Sequence, residues 1–346
     1  MKRCAIDLFS GAGGMTLGLK RAGFAVLGAV EVEPLAVETY RANHPEVHVW
    51  EKDIRALRTS TVMRELNLVP GALDLLAACP PCQGFSSLTT LNGAYEVADD
   101  RNDLIFAVVR FARALNPKAI MLENVPGLAA DERFQRLRAM LEKLGYLTTA
   151  DVLDAADFGV PQRRRRLIML AARGGAPAPA RGKNRSNTVR QTIGKLSKAG
   201  KSGDPLHDLP ERRSRRVRNF IRDIPSDGGS RLDLPRRRQL ACHRRSDGFK
   251  DIYGRMAWDE PAPTITGGCA NPSKGRFLHP EEDRTITLRE AALLQSFPSN
   301  YLFSLRRGKF KAAEMIGNAL PPEFVFRHAK SVRSFLDDRE SALAAR

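Results

Sequence analysis

Leu73-Asp74-Leu75-Leu76-Ala77-Ala78-Cys79-Pro80-Pro81-Cys82-Gln83-Gly84-Phe85-Ser86 joins an apolar run to a proline-broken loop. The run has the length of a buried strand, and the prolines stop it. Open α/β sheets place their ligands at the carboxyl ends of strands, so a cysteine on this loop reads as a thiol nucleophile. The same residues also spell Cys79-x-x-Cys82, the spacing of a thioredoxin-like redox centre or of half a zinc site. Cys4, Cys242 and Cys269 are solitary, so zinc lacks the further ligands it needs and no metal is expected. A thioredoxin-like centre would need a short βαβ context, whereas this strand is the fourth of a longer series.

Outward from that strand, short apolar runs alternate with helical periodicity between Cys4 and Leu170. Strands are predicted at 4–9, 25–30, 47–50, 73–78, 119–123, 148–154 and 166–171. Helices fit at 15–22, 34–43, 61–66, 103–115 and 133–144. The order predicts a doubly wound α/β domain. Residues 155–165 are too few for a helical crossover, so the last two strands should form an antiparallel hairpin at the sheet edge. After Arg173 the alternation fails and Gly, Pro, Ser and Arg dominate to about Arg238; helical spacing returns at 288–295 and 322–336. No internal repeat is present, which excludes solenoids and propellers.

The 346 residues are 42% apolar, ample for a core. Residues 1–7 hold no apolar stretch of signal-peptide length and no segment approaches a transmembrane span, so no membrane partner is expected. Five cysteines, an odd number, argue against a disulfide framework and for a reducing cytoplasm. The formal net charge is +17, and roughly two-thirds of the excess lies between Arg173 and Arg284. Runs such as Arg212-Arg213-Ser214-Arg215-Arg216 and Arg236-Arg237-Arg238 would set many cations against a phosphate backbone. Phe220, Phe249, Tyr253 and Trp258 among them favour a folded module over a solvated tract.

Asp7-Leu8-Phe9-Ser10-Gly11-Ala12-Gly13-Gly14 follows the first strand and opens the first helix, where glycines admit a ligand close to backbone N–H groups. The dinucleotide pattern G-x-G-x-x-G is broken, because Thr16 stands where its final glycine would be. Glu31 ends the second strand, the place from which a carboxylate accepts hydrogen bonds from ribose hydroxyls, and Asp53 follows the third. Alone, each could cap a helix or turn; with Gly11 and Gly13 they describe an adenosine site without a pyrophosphate cradle.

With these residues quoted, the chain resembles the DNA (cytosine-5)-methyltransferase family over most of its length, the basic module excepted. The family's cofactor loop resembles Asp7 to Gly14, its nucleophile loop Pro80 to Ser86, and its Glu-Asn-Val block Glu123-Asn124-Val125. Its Q-x-R-x-R block resembles Gln162 to Arg166, its R-E-A-A-x-L-Q helix Arg289 to Gln295, and its G-N-A-x-P-P block Gly317 to Pro322. The resemblance implies a mostly parallel, seven-stranded, Rossmann-like S-adenosylmethionine-dependent domain. Residues 1–172 would be its first part, 173–284 an inserted target-recognition module, and 285–346 the return to the catalytic domain.

It further implies S-adenosylmethionine as methyl donor, held by Phe9, Ser10, Gly11, Gly13, Glu31, Val32, Asp53, Ile54, Pro81, Leu104 and Asn318. Val32 stands where some relatives carry a tryptophan, so stacking on the adenine should be weaker there. Cys82 would add to C6 of cytosine, Glu123 would serve N3, Arg166 would hold the pyrimidine carbonyl and steady Glu123, and Arg164 would face the Cys82 loop or the backbone. Cys79 reads as a small buried residue. The resemblance implies double-stranded DNA as partner, with the target base flipped out of the stack to be reached. A cognate restriction endonuclease is a candidate genetic partner; the short architecture, one catalytic domain plus one inserted module, points to a monomer and to a bacterial or phage cytoplasmic setting. Three alternatives stay open: a transfer-RNA cytosine-5 methyltransferase, a catalytically silent DNA-binding relative, and an NAD-dependent or dithiol oxidoreductase.

Overall fold

A computed structural model describes residues 2–81, 100–182, 186–245 and 250–345. The chain packs as two compact units, one formed by Met1–Phe158, Arg165–Gly182 and Leu320–Arg346, the other by Gly159–Arg164 and Lys183–Ala319. These limits differ from the expected 1–172, 173–284 and 285–346, because the helices at Leu288–Leu294 and Gly308–Asn318 pack within the second unit.

Among the described residues, the first unit holds seven strands: β1 (Cys4–Leu8), β2 (Ala25–Glu31), β3 (His48–Glu51), β4 (Leu75–Ala78), β5 (Ala119–Asn124), β6 (Tyr146–Asp154) and β7 (Arg165–Arg173). Their order is β3-β2-β1-β4-β5-β7-β6, parallel except that β7 runs antiparallel to both β5 and β6. The expected hairpin therefore folds back so that its second strand pairs with β5 and its first takes the edge. In the central strands Leu75 to Ala78 and Ala119 to Leu122 are apolar and fully buried, as a sheet covered on both faces requires.

Helices α1 (Gly14–Arg21), α2 (Pro34–Asn43), α3 (Thr59–Glu65), α4 (Phe106–Leu115) and α5 (Glu132–Lys143) join the strands. Local chemistry sets their ends. Pro34 opens α2, where its missing N–H costs nothing. Asp131 caps α5 by accepting from Arg133 N, and Asn116 takes the left-handed conformation after α4. The expected helix at 103–115 begins as a 3-10 turn, Asp100–Ile105, before α4. Phe111, Leu115, Leu137 and Leu141 bury one face of α4 and α5 against Leu76, Ile120 and Leu122.

In the second unit, α6 (Val189–Ile193), α7 (Arg215–Asp223), α8 (Ala241–Arg245), α9 (Leu288–Leu294) and α10 (Gly308–Asn318) are linked by turns and irregular chain. Phe220, Ile221, Ile224, Leu234, Tyr253 and Leu278 form a small core. Arg255, 1% exposed, is its internal staple, donating to the carbonyls of Ile221, Ile224, His279 and Glu282 and to Asp283. Buried carbonyls in a module with so little regular structure need such a donor. The last helix, α11 (Pro322–Ala344), returns to the first unit and packs on α1. A Cβ at Gly18 would come within 2.4 Å of Val325 Cβ, so glycine sets that helix spacing.

Candidate active site

The glycine loop leaves β1 through Phe9, whose φ of +62° is left-handed, and Gly11 and Gly13 follow at +52° and +91°. Glu31, at the end of β2, holds this loop. One carboxylate oxygen accepts Gly11 N at 2.8 Å, and the other accepts Val32 N at 2.8 Å and Glu33 N at 2.9 Å. Thr16, in the place of the absent glycine, donates to Asp7 Oδ2 at 2.7 Å and shares a 2.7 Å contact with Tyr40 Oη. Burial pushes the Asp7 carboxyl up to about 7, opposed by the Thr16 hydrogen bond and assisted by the Glu31 charge. Asp7 Oδ1 is buried without a hydrogen-bond partner.

A ligand of adenosine type fits the chemistry of this corner. A Cβ added at Gly11 would meet open space, Val32 is 61% exposed beside it, and Glu31 retains lone pairs for hydroxyl donors. Asp53 is held by Arg55, whose side-chain and backbone donors lower its pKa and occupy both carboxylate oxygens. Ile54 is buried in the core, whereas Leu104 lines a cavity of about 210 Å³ with Arg55, Asp103, Phe106, Ala107 and Arg110. Ser10 is buried and donates its N–H to Val30 O, and Pro81 is half-buried. Asn318 is exposed at the end of α10 and belongs to the second unit.

Cys82 lies outside the described residues, but Cys79, Pro80 and Pro81 before it are described. Asn124, last in β5, donates Nδ2–H to Pro80 O at 3.0 Å, while its Oδ1 accepts Val125 N. Beside it Glu123, 4% exposed, is held from two sides. Arg166 Nε lies 3.0 Å from Oε1, and Cys79 Sγ lies 2.7 Å from Oε2. Burial, then the Glu123 carboxyl, pushes the Cys79 thiol well above its usual range, so Cys79 is a protonated donor. The sequence presents Cys79 as a small buried residue; the fold sets it one residue past β4, against the end of β5.

Arg164 lies in the second unit. It is buried and donates to Ile265 O at 2.9 Å and Gly317 O at 3.1 Å. Gln162, also buried there, bonds Gln295 Oε1 at 2.8 Å and accepts Ile265 N at 2.7 Å. Gln295 in turn donates to Ile316 O. Thr287 and Glu290 form a capping box on α9, and Arg284 grips Glu290 through two 2.8 Å bonds that lower the carboxyl's pKa against burial. Three separate sequence blocks thus join into one buried framework.

A family model for C-5 cytosine-specific DNA methylases matches residues 4–334. The chain belongs to that family. As a C-5 cytosine-specific DNA methylase it is 36% identical to the type II methylase M.HgiDII of Herpetosiphon aurantiacus, with 97% of each chain covered. It is 34% identical to the type II methyltransferase M1.HphI of Haemophilus parahaemolyticus, over 92% of this chain and 83% of that one. Among solved structures, the methylase fold is shared with S. pombe Dnmt2 methyltransferase at a TM-score of 0.63 and 18% identity, covering 97% and 100% of the two chains. It is also shared with a prophage-encoded DNA modification methyltransferase structure from E. coli, at a TM-score of 0.74 and 22% identity over 97% and 99%. Among the described residues no His, Cys, Asp and Glu group could hold a metal, and no helix is long and apolar enough to cross a membrane.

Proposed function

We propose that the protein transfers a methyl group from S-adenosylmethionine to C5 of a cytosine flipped out of a short double-stranded DNA sequence. The observation that carries this reading is the held carboxyl of Glu123, braced by Arg166 next to an asparagine that bonds Pro80 O, two residues before Cys82 in sequence.

In this reading Cys82 adds as thiolate to C6, and the electron pair of the C5–C6 bond moves towards the ring nitrogen that Glu123 serves. Arg166 keeps Glu123 oriented and presents its remaining N–H groups to the pyrimidine carbonyl. S-adenosylmethionine, when bound, supplies an electrophilic methyl group to C5. A base then removes the C5 proton, the double bond re-forms and Cys82 leaves. Glu31 with Phe9, Ser10, Gly11, Gly13 and Val32 would hold the donor's adenosine, and Asp53, Ile54, Pro81, Leu104 and Asn318 complete the proposed set. Arg164 has a supporting part: it fixes the backbone at Ile265 and Gly317.

The second unit supplies the phosphate contacts. Arg215, Arg216, Arg218 and Arg222 on α7 are exposed, as are Arg212, Arg236, Arg237, Arg238 and Arg244, and no carboxylate pairs with them among the described residues. Cations without carboxylate partners, spread over a folded unit, suit a polyanion. The similarity to type II methylases adds a cognate restriction endonuclease as the genetic partner and a bacterial cytoplasm as the setting. One catalytic unit and one basic unit suffice for a monomer.

The test is incubation with S-adenosylmethionine and unmodified bacterial DNA, followed by single-base mapping of 5-methylcytosine, with transfer RNA in parallel. Modification of one short DNA motif, lost in Cys82→Ser, supports the reading. Labelled transfer RNA with untouched DNA overturns it.

A further inference from the structure

We propose that Cys79 is a positioning residue for Glu123, its S–H group setting the plane of the carboxyl that meets the target base. The proposal rests on the reading of Glu123 given above. A glutamate's last torsion is broad, so one donor on one oxygen leaves the carboxyl free to rock. Here each oxygen has its own donor: Arg166 Nε on Oε1 at 3.0 Å and Cys79 Sγ on Oε2 at 2.7 Å.

Both donors are tied to the sheet. Cys79 N bonds Leu8 O at 3.1 Å, Arg166 is paired with Leu153 in the β6–β7 ladder, and Glu123 is paired with Ile168. The charged groups facing the pair come from three strands: Arg166 from β7, Glu123 itself from β5 and Asp7 from β1. A thiol is a weak donor. It orients the carboxyl while gripping it less tightly than a hydroxyl or an amide would, which leaves Glu123 able to serve the base.

The test compares Cys79→Ala and Cys79→Ser in the full chain, in single-turnover methylation of a duplex carrying the mapped site. If Cys79 positions Glu123, Cys79→Ala loses about tenfold in the methylation rate with KM for S-adenosylmethionine unchanged, and Cys79→Ser recovers most of that loss. If Cys79 merely fills space, alanine does at least as well as serine, since a buried hydroxyl is the poorer filler; that ranking overturns the proposal.

An infrared readout is independent of turnover. The S–H stretch isolated by subtracting the Cys79→Ala spectrum should lie below that of a free thiol and move in Glu123→Gln. An undisplaced band overturns the proposal while leaving the role of Glu123 intact. Wild-type protein that makes no 5-methylcytosine, or Glu123→Gln at full rate, overturns the role of Glu123 and the proposal with it.

Discussion

Gln162 and Gln295 meet amide to amide, Nε2 to Oε1 at 2.8 Å, although 133 residues separate them. Neither is exposed, and each spends its remaining groups on backbone: Gln162 Oε1 on Ile265 N, Gln295 Nε2 on Ile316 O. Removing Gln295 takes a donor from the carbonyls of Ile316, Gly317 and Ala319, and removing Gln162 takes the partner from Gln295 Oε1 and Ile265 N. Gln295→Ala is therefore expected to cost about 2–4 kcal/mol of stability, read by denaturant unfolding. Gln162→Ala should cost a similar amount, and the double variant less than the sum of the two.

Gly317 and Gly11 should respond to alanine in opposite ways. A Cβ at Gly317 would lie 2.0 Å from Thr266 C and 2.2 Å from Gly267 N, so the backbone must move. Gly317→Ala is expected to lose about 3 kcal/mol or more and to lower the melting temperature. At Gly11 the added methyl enters open space, and a φ of +52° costs about 1–2 kcal/mol. Gly11→Ala should stay folded and raise the Kd for S-adenosylmethionine, measured by calorimetry.

The two glycines also show what was legible in the sequence. Strand positions were readable because Leu75 to Ala78 and Ala119 to Leu122 are apolar at every residue, and the glycine loop because it sits between strand and helix. Glu123 and Arg166 were readable as site candidates, and the structure brings them to 3.0 Å. The roles of Gln162, Arg164, Gln295 and Gly317 were not. Their partners are carbonyls and a facing amide more than a hundred residues away for Arg164 and Gln162, and periodicity carries no information at that range. The role of Arg255 was not legible either, since nothing in a single sequence distinguishes an arginine that serves buried carbonyls from one that meets solvent.

Asp7 should make stability depend on pH. Its carboxyl rises from 3.8 to about 7 on folding, so between those values the folded protein holds the proton more often than the unfolded chain. Stability then falls as pH rises through that window and levels off above it. Asp7→Asn keeps an acceptor for Thr16 and removes the titration. Its stability relative to wild type should improve from pH 4 to pH 8 by up to about 4 kcal/mol, measured by denaturant unfolding at each pH. A parallel pair of curves would show that Asp7 does not titrate in this range.

DNA affinity should carry the signature of counterion release. If Arg215, Arg216 and Arg218 each neutralise a phosphate, Arg215→Gln/Arg216→Gln/Arg218→Gln should flatten the slope of log K against log salt by roughly 2.7. Filter binding at several salt concentrations measures it. The methylation rate at saturating DNA should change little, because these side chains lie on an exposed helix face.

The reversed direction of β7 has a mechanical consequence. A parallel strand can offer the ligand rim only its final residues and the loop beyond, and loops drift in length and shape. A strand that enters at the rim offers its opening residues, already laced to a neighbouring strand. Arg166 is clamped in this manner: Leu153 is its ladder partner, and the next residue, Leu167, pairs with both Asn124 and Val152. The guanidinium that braces Glu123 thus inherits the stiffness of the whole sheet, and the segments around it can be rebuilt for new DNA sequences without retuning the chemistry.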